Sequence, residues 1–92
     1  MPEITAQLLT APYNYAVVQL PTRAFPGVVV QGDSLNMLLS MLTQAKDSMG
    51  RGELGDAQNW LREVIDILES AQTGYEAACS ANGRSLPYCR SE

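Results

Sequence analysis

The feature that most constrains this chain is a change of hydrophobic period at Gly32-Asp33-Ser34. Before it, apolar residues come in short β-branched runs broken by proline and glycine; after it, leucines recur at spacings of three and four. Residues 13–20 (Tyr-Asn-Tyr-Ala-Val-Val-Gln-Leu) are rich in aromatic and β-branched types and hold neither glycine nor proline, which predicts a strand. Residues 27–31, built on Val28, Val29 and Val30, predict a second, shorter one. Between them, Pro21-Thr22-Arg23-Ala24-Phe25-Pro26 carries two prolines that stiffen the backbone and remove ladder donors, so the stretch reads as a hairpin loop. Two strands alone are marginal. Residues 4–10 offer a third, since Ile4, Ala6 and Leu8 alternate with Thr5, Gln7 and Leu9; these types also tolerate a helix, and the strand is preferred.

Beyond the switch the spacing predicts two helices. Asp33 is placed to cap the first by accepting from the Leu35 or Asn36 backbone N–H, and that helix runs to about Ser48. Its inward stripe reads Leu35, Leu38, Leu39, Leu42, Ala45 and Met49. No charge falls between Ser34 and Ala45, and Met37 and Met41 sit one turn apart off the leucine stripe, so this helix should be covered on more than one side. After a connector over residues 49–55, the second helix is capped by Gly52 or Asp56. It buries Ala57, Trp60, Leu61, Val64, Leu68, Ala71, Tyr75 and Ala78, and stops at Asn82-Gly83. Unbroken over residues 56–81 it would run ~39 Å, longer than a domain of this size is wide, at about 30 to 35 Å. A bend at Thr73-Gly74, or an overhanging end, is therefore expected. Residues 84–92 form an extended tail in which Leu86, Tyr88 and Cys89 can fold back. The fold class is α+β: a small antiparallel sheet of two or three strands, then two main helices packed on one of its faces. The 92 residues form one domain, with a β ribbon over 1–32, a helical half over 33–83 and the tail.

Composition narrows the function. Ten acids against six bases give a net charge of −4, which disfavours nucleic acid and anionic membranes and favours a basic protein partner. There is no histidine, so the commonest general base and metal ligand are missing, and no cofactor or metal is expected. Residues 1–5 hold an early acid and no basic run, unlike a secretory signal, and no stretch is apolar enough to span a membrane. A cytoplasmic setting follows as the expectation. Cys79 and Cys89 are then thiols; in an exported chain they could instead close a short loop.

Several constellations can be read two ways. Gly50-Arg51-Gly52-Glu53-Leu54-Gly55 has the letters of a dinucleotide fingerprint, but it leaves a helix rather than a strand, and a glycine-rich link between antiparallel helices explains it. Asp33 beside Ser34 is accounted for by capping, and the one lysine, Lys46, by the helix C-terminus. No catalytic residue is assigned. Glu63, Asp66 and Glu69 fall opposite the second helix's apolar stripe, with Arg62 placed to pair with Asp66; they read as a solvated face or as a negative surface steering a basic partner. Tyr13, Tyr15, Arg23 and Phe25 gather on the ribbon and its loop, where Arg and aromatic types suit a binding hot spot as well as plain packing.

The run Asn14-Tyr15-Ala16-Val17-Val18-Gln19-Leu20-Pro21, followed by Arg23 and then Phe25-Pro26-Gly27-Val28-Val29-Val30-Gln31-Gly32-Asp33-Ser34-Leu35, resembles a family of small uncharacterised bacterial proteins over nearly the whole chain. The resemblance implies a bacterial intracellular domain without an established activity. In size, charge and build the chain is also similar to immunity proteins that neutralise toxins. The expected function is therefore a non-enzymatic binding protein. Most concretely it is an immunity protein occluding a basic toxin's active site, a nuclease or an ADP-ribosyltransferase. The partner-binding residues would be Tyr13, Tyr15, Arg23, Phe25, Met37, Met41, Glu63, Asp66 and Glu69. The alternative is a homodimeric structural or adaptor protein.

Overall fold

The computed structural model describes residues 2–89. The architecture is α+β, with β1 (Gln7–Leu8), β2 (Val17–Gln19) and β3 (Gly27–Val28) followed by α1 (Gly32–Gly50) and α2 (Leu54–Ala81). The described residues divide into two compact units: residues 2–30 with 73–89, and residues 31–72. The nine residues of α2 from Thr73 therefore belong with the sheet, as does the tail through Cys89; residues 90–92, part of the expected tail, lie outside the described residues.

In the first unit β2 is central in an antiparallel order β1-β2-β3, so the third strand over residues 4–10 is real, though only two residues long. Gln7 lies opposite Gln19 and Leu8 opposite Val18; Val17 lies opposite Val28. The ladder continues past the formal strands, with Leu9 N–H donating to Val17 O and Val29 N–H to Ala16 O, both at 2.8 Å. Strand β2 is shorter than residues 13–20. Tyr13, Asn14 and Tyr15 fold into a turn closed by Ala16 N–H on Tyr13 O at 3.0 Å, and Tyr15 takes a left-handed φ of 63°. Aromatic content favours a strand, but the chain must reverse here to bring residue 17 alongside residue 9. This register puts Leu9 beside Val17 and turns Leu8, 47% exposed, outward.

One face of this sheet is closed by the end of α2. Val17, Tyr75, Ala78 and Cys79 form the buried cluster, with Leu9, Leu86 and Tyr88 packed against it. The tail thus folds back through Leu86 and Tyr88, while Cys89 is exposed; both cysteines are free. Tyr75 Oη donates to Pro26 O at 2.8 Å and Tyr88 Oη donates to Glu76 at 2.9 Å. The Arg84 guanidinium donates to both facing glutamines, Nη1 to Gln19 Oε1 at 2.9 Å and Nη2 to Gln7 Oε1 at 3.1 Å. Gln19 in turn donates from Nε2 to Leu20 O and Arg23 O, at 3.0 and 2.8 Å, which holds the β2–β3 turn. Arg84 is delivered by the helix terminus. Gly83, at φ 64°, donates to Ser80 O, and Arg84 N–H donates to Cys79 O at 2.8 Å, the Schellman pattern that reverses the chain after α2.

The second unit is built by the same device. Gly52, at φ 74°, donates to Met49 O, and Glu53 N–H donates to Ser48 O at 2.8 Å, so the glycine string is a Schellman turn at the end of α1. Arg51 pairs with Glu53 across it. Three residues join the helices, a link as short as those of antiparallel helical hairpins. Helix α1 begins one residue before Asp33, with Gln31 at the N-cap position, because Gln31 O already accepts from Leu35 N–H at 2.9 Å. Asp33 is therefore not the cap; its carboxylate accepts from the adjacent Ser34 N–H at 2.8 Å inside the first turn. Helix α2 starts at Leu54, ahead of Asp56, and continues through Thr73-Gly74 without a break, so no interruption of the helix occurs there.

The buried arcs correct the expected stripes. In α1, Leu38, Ala45 and Ser48 are buried and Met41 is half-buried, whereas Leu35, Leu39, Leu42 and Met49 are exposed. In α2, Ala57 and Val64 are buried and Trp60 is half-buried, while Leu61 and Leu68 are exposed. The reason is geometric. The apolar arc of α1 is far wider than one neighbouring helix covers, and the buried residues include the small Ala45 and Ser48 on α1 and Ala57 on α2.

Two consequences can be measured. Gly74 lies inside α2 and Gly83 in the left-handed region, and a Cβ at either meets open space. Gly74→Ala should therefore raise stability by about 0.5–1 kcal/mol and Gly83→Ala lower it by about 1 kcal/mol, opposite signs readable in chemical denaturation. Burial, then the Cys79 thiol and Tyr88, push the Tyr75 phenol from 10.0 up to about 12. A folded state that holds this proton longer than the unfolded chain loses stability as pH rises from about 10 towards 12. Tm should fall over that window, and Tyr75→Phe should flatten the fall; parallel curves for the two proteins would contradict the assignment.

Candidate binding sites

Among the described residues, one concave site lies in the helical unit and another in the sheet unit. On α2, Asp56, Asn59, Trp60 and Glu63 line a groove of about 370 Å³. Their spacing of three, four and seven puts them on one helix face, and the turn at Gly52 starts α2 early enough for Asp56 to fall in its first turn. The Trp60 indole is half-buried, and Asp56, Asn59 and Glu63 are exposed around it. The site therefore offers an aromatic surface bordered by two carboxylates and an amide. Such a set attracts a cation over the ring and offers its N–H groups acceptors.

The second site, about 400 Å³, is lined by Leu20, Arg23, Ala24, Phe25, Pro26 and Gly27 at the β2–β3 turn. Pro26 is buried under the Tyr75 hydrogen bond, whereas Arg23 and Phe25 are exposed, Phe25 by 45%. The turn is held from below by the Gln19 amide, so Arg23 and Phe25 project from a fixed backbone. Tyr13 is 56% exposed beside the preceding turn. Tyr15 is half-buried, and its hydroxyl is buried without a hydrogen-bond partner, which leaves only part of its ring accessible.

The remaining sequence-derived residues are placed apart. Met37 is 40% exposed and Met41 half-buried, so the pair is not a uniformly bare flank. Glu63, Asp66 and Glu69 are all exposed, but successive steps of three residues turn them progressively around α2, and only Glu63 borders the Trp60 groove. The Arg62–Asp66 pair is not formed; an exposed i,i+4 pair gains too little to hold two long side chains in place. Sequence reasoning passed over Trp60 as a core residue and Asp56 as a cap, and did not single out Asn59. The available signal was their i, i+3, i+4, i+7 spacing with Glu63. Among the described residues no three of His, Cys, Asp and Glu gather as metal ligands, and no helix is long and apolar enough to cross a membrane.

No curated protein matches this chain, and no solved structure does. A family model matches residues 1–88, nearly the full length, and the chain belongs to that family, a family of unknown function designated DUF6959.

Proposed function

We propose that this chain is a non-enzymatic binding protein that receives a cationic side chain of a basic partner protein in the groove around Trp60. The observation that carries this is the half-buried indole framed by the Asp56 and Glu63 carboxylates and the Asn59 amide. A lysine or arginine laid on the ring gains cation–π attraction and charge-assisted hydrogen bonds at once. The net charge of −4 adds a long-range field of the same sign, which raises the rate of encounter with a basic surface. The exposed Asp66 and Glu69 extend that field along α2. In its most concrete form the reading is an immunity protein that occludes the cationic active site of a toxin acting on nucleic acid or transferring ADP-ribose. The exposed Phe25 offers a separate apolar contact on the sheet unit.

The sole tryptophan reports on the site directly. Titration with an oligoarginine peptide should change Trp60 emission, while a serine peptide of equal length leaves it unchanged. Asp56→Asn with Glu63→Gln should weaken the arginine peptide roughly tenfold, and Asp66→Asn with Glu69→Gln, which removes the same charge outside the groove, should weaken it much less. Equal losses in the two double variants would reduce the groove to diffuse charge, and no emission change would remove it as a binding site. A basic toxin that is the partner should displace the peptide.

A further inference from the structure

The helical unit leaves a second stripe open. Leu35 (61% exposed), Leu39 (63%), Leu42 (43%) and Met49 (57%) form it on α1, and Leu54 (62%), Leu61 (37%), Ile65 (52%) and Leu68 (49%) on α2. On each helix the stripe is rotated about a quarter-turn, in the same sense, from the residues that are buried. In the antiparallel hairpin that the three-residue link allows, equal rotations bring both stripes to one side, the side away from Trp60, Asp56 and Glu63. Their exposed fractions together amount to roughly 700 Å² of apolar surface, more than a monomer ordinarily shows in one patch and close to the ~800 Å² each partner contributes to a stable complex.

We infer that this face is covered by a second copy of the chain, in a symmetric pairing of two helical hairpins. Three observations select the occupant. The area matches what one side of a dimer needs. The stripe carries its own seven-residue repeat on both helices, Leu35-Leu42-Met49 and Leu54-Leu61-Leu68, so an identical surface offers knobs and holes at the same spacing. The acids are on other sides of the helices, and Lys46 is the one charged side chain within the stripe. Two molecules of net charge −4 therefore meet here without opposing carboxylates. A charged partner of the kind proposed for the Trp60 groove finds nothing to recognise on this face.

Sedimentation of the full chain tests this. A species of twice 10.0 kDa is expected at micromolar concentration. Leu39→Lys with Leu61→Lys should raise the dimer dissociation constant roughly 100-fold or more, with the helical circular dichroism signal retained, because both side chains are exposed. Met37→Lys, exposed on another side of α1, should leave the dimer intact. Should the lysine pair unfold, Ile65→Gln with Leu68→Gln makes the same test more gently. A monomer at the highest soluble concentration, or a dimer indifferent to every stripe variant, would overturn the inference.

Discussion

Strands of two and three residues do not persist without cover, and the dependence of this sheet on the last turns of α2 is the constraint from which the rest follows. Val17 is the one strand residue that is fully buried, and what buries it is Tyr75, Ala78 and Cys79, about sixty residues later in the chain. Two polar links fix the same closure, Tyr75 onto the Pro26 carbonyl and Arg84 onto Gln7 and Gln19. Gln19 then passes the constraint to the Arg23 turn. A loop that a sequence reader would call idle is thereby held in one conformation by a helix terminus, and its exposed Phe25 is presented at little further entropic cost.

The helical unit works from the opposite condition, a surplus of apolar surface rather than a shortage. An arc wider than one neighbour covers leaves parts of both helices open, and the two flanks differ in chemistry. One sets Trp60 among carboxylates and suits a cation. The other is nearly uncharged and leucine-rich and suits its own likeness. Ala45, Ser48 and Ala57 are buried, while the larger Leu35, Leu39 and Leu61 stay exposed.

Much of the fold was legible because its signals are local. The change of period at Gly32, the paired prolines of the hairpin loop and the Asn82-Gly83 stop all act within a few residues of where they are written. The glycine string was correctly read as a link between helices, and Gly52 supplies the reason. What was not legible is non-local or depends on rotation about a helix axis. Spacing alone locates an apolar arc but not the line along it that a neighbour occupies, so Leu35, Leu39 and Leu42 were assigned inward and are exposed. The Arg84–Gln19 contact spans sixty-five positions with nothing in either segment to announce it. Tyr13 and Tyr15 carry strand-type side chains in a turn, where the need to reverse the chain outweighs propensity. Of the candidate site, charge patterning singles out Glu63, but the groove that gives it a role is centred on a tryptophan that periodicity places in the core.

Native-state hydrogen exchange in low denaturant tests the central dependence most directly, since it resolves which amides open together. The ladder amides of Leu9 and Val29 should open with the same free energy and denaturant slope as the helix amides around Tyr75 and Cys79. Sheet amides that exchange through a separate, less costly opening while those helix amides stay protected would show that the strands do not rely on the end of α2.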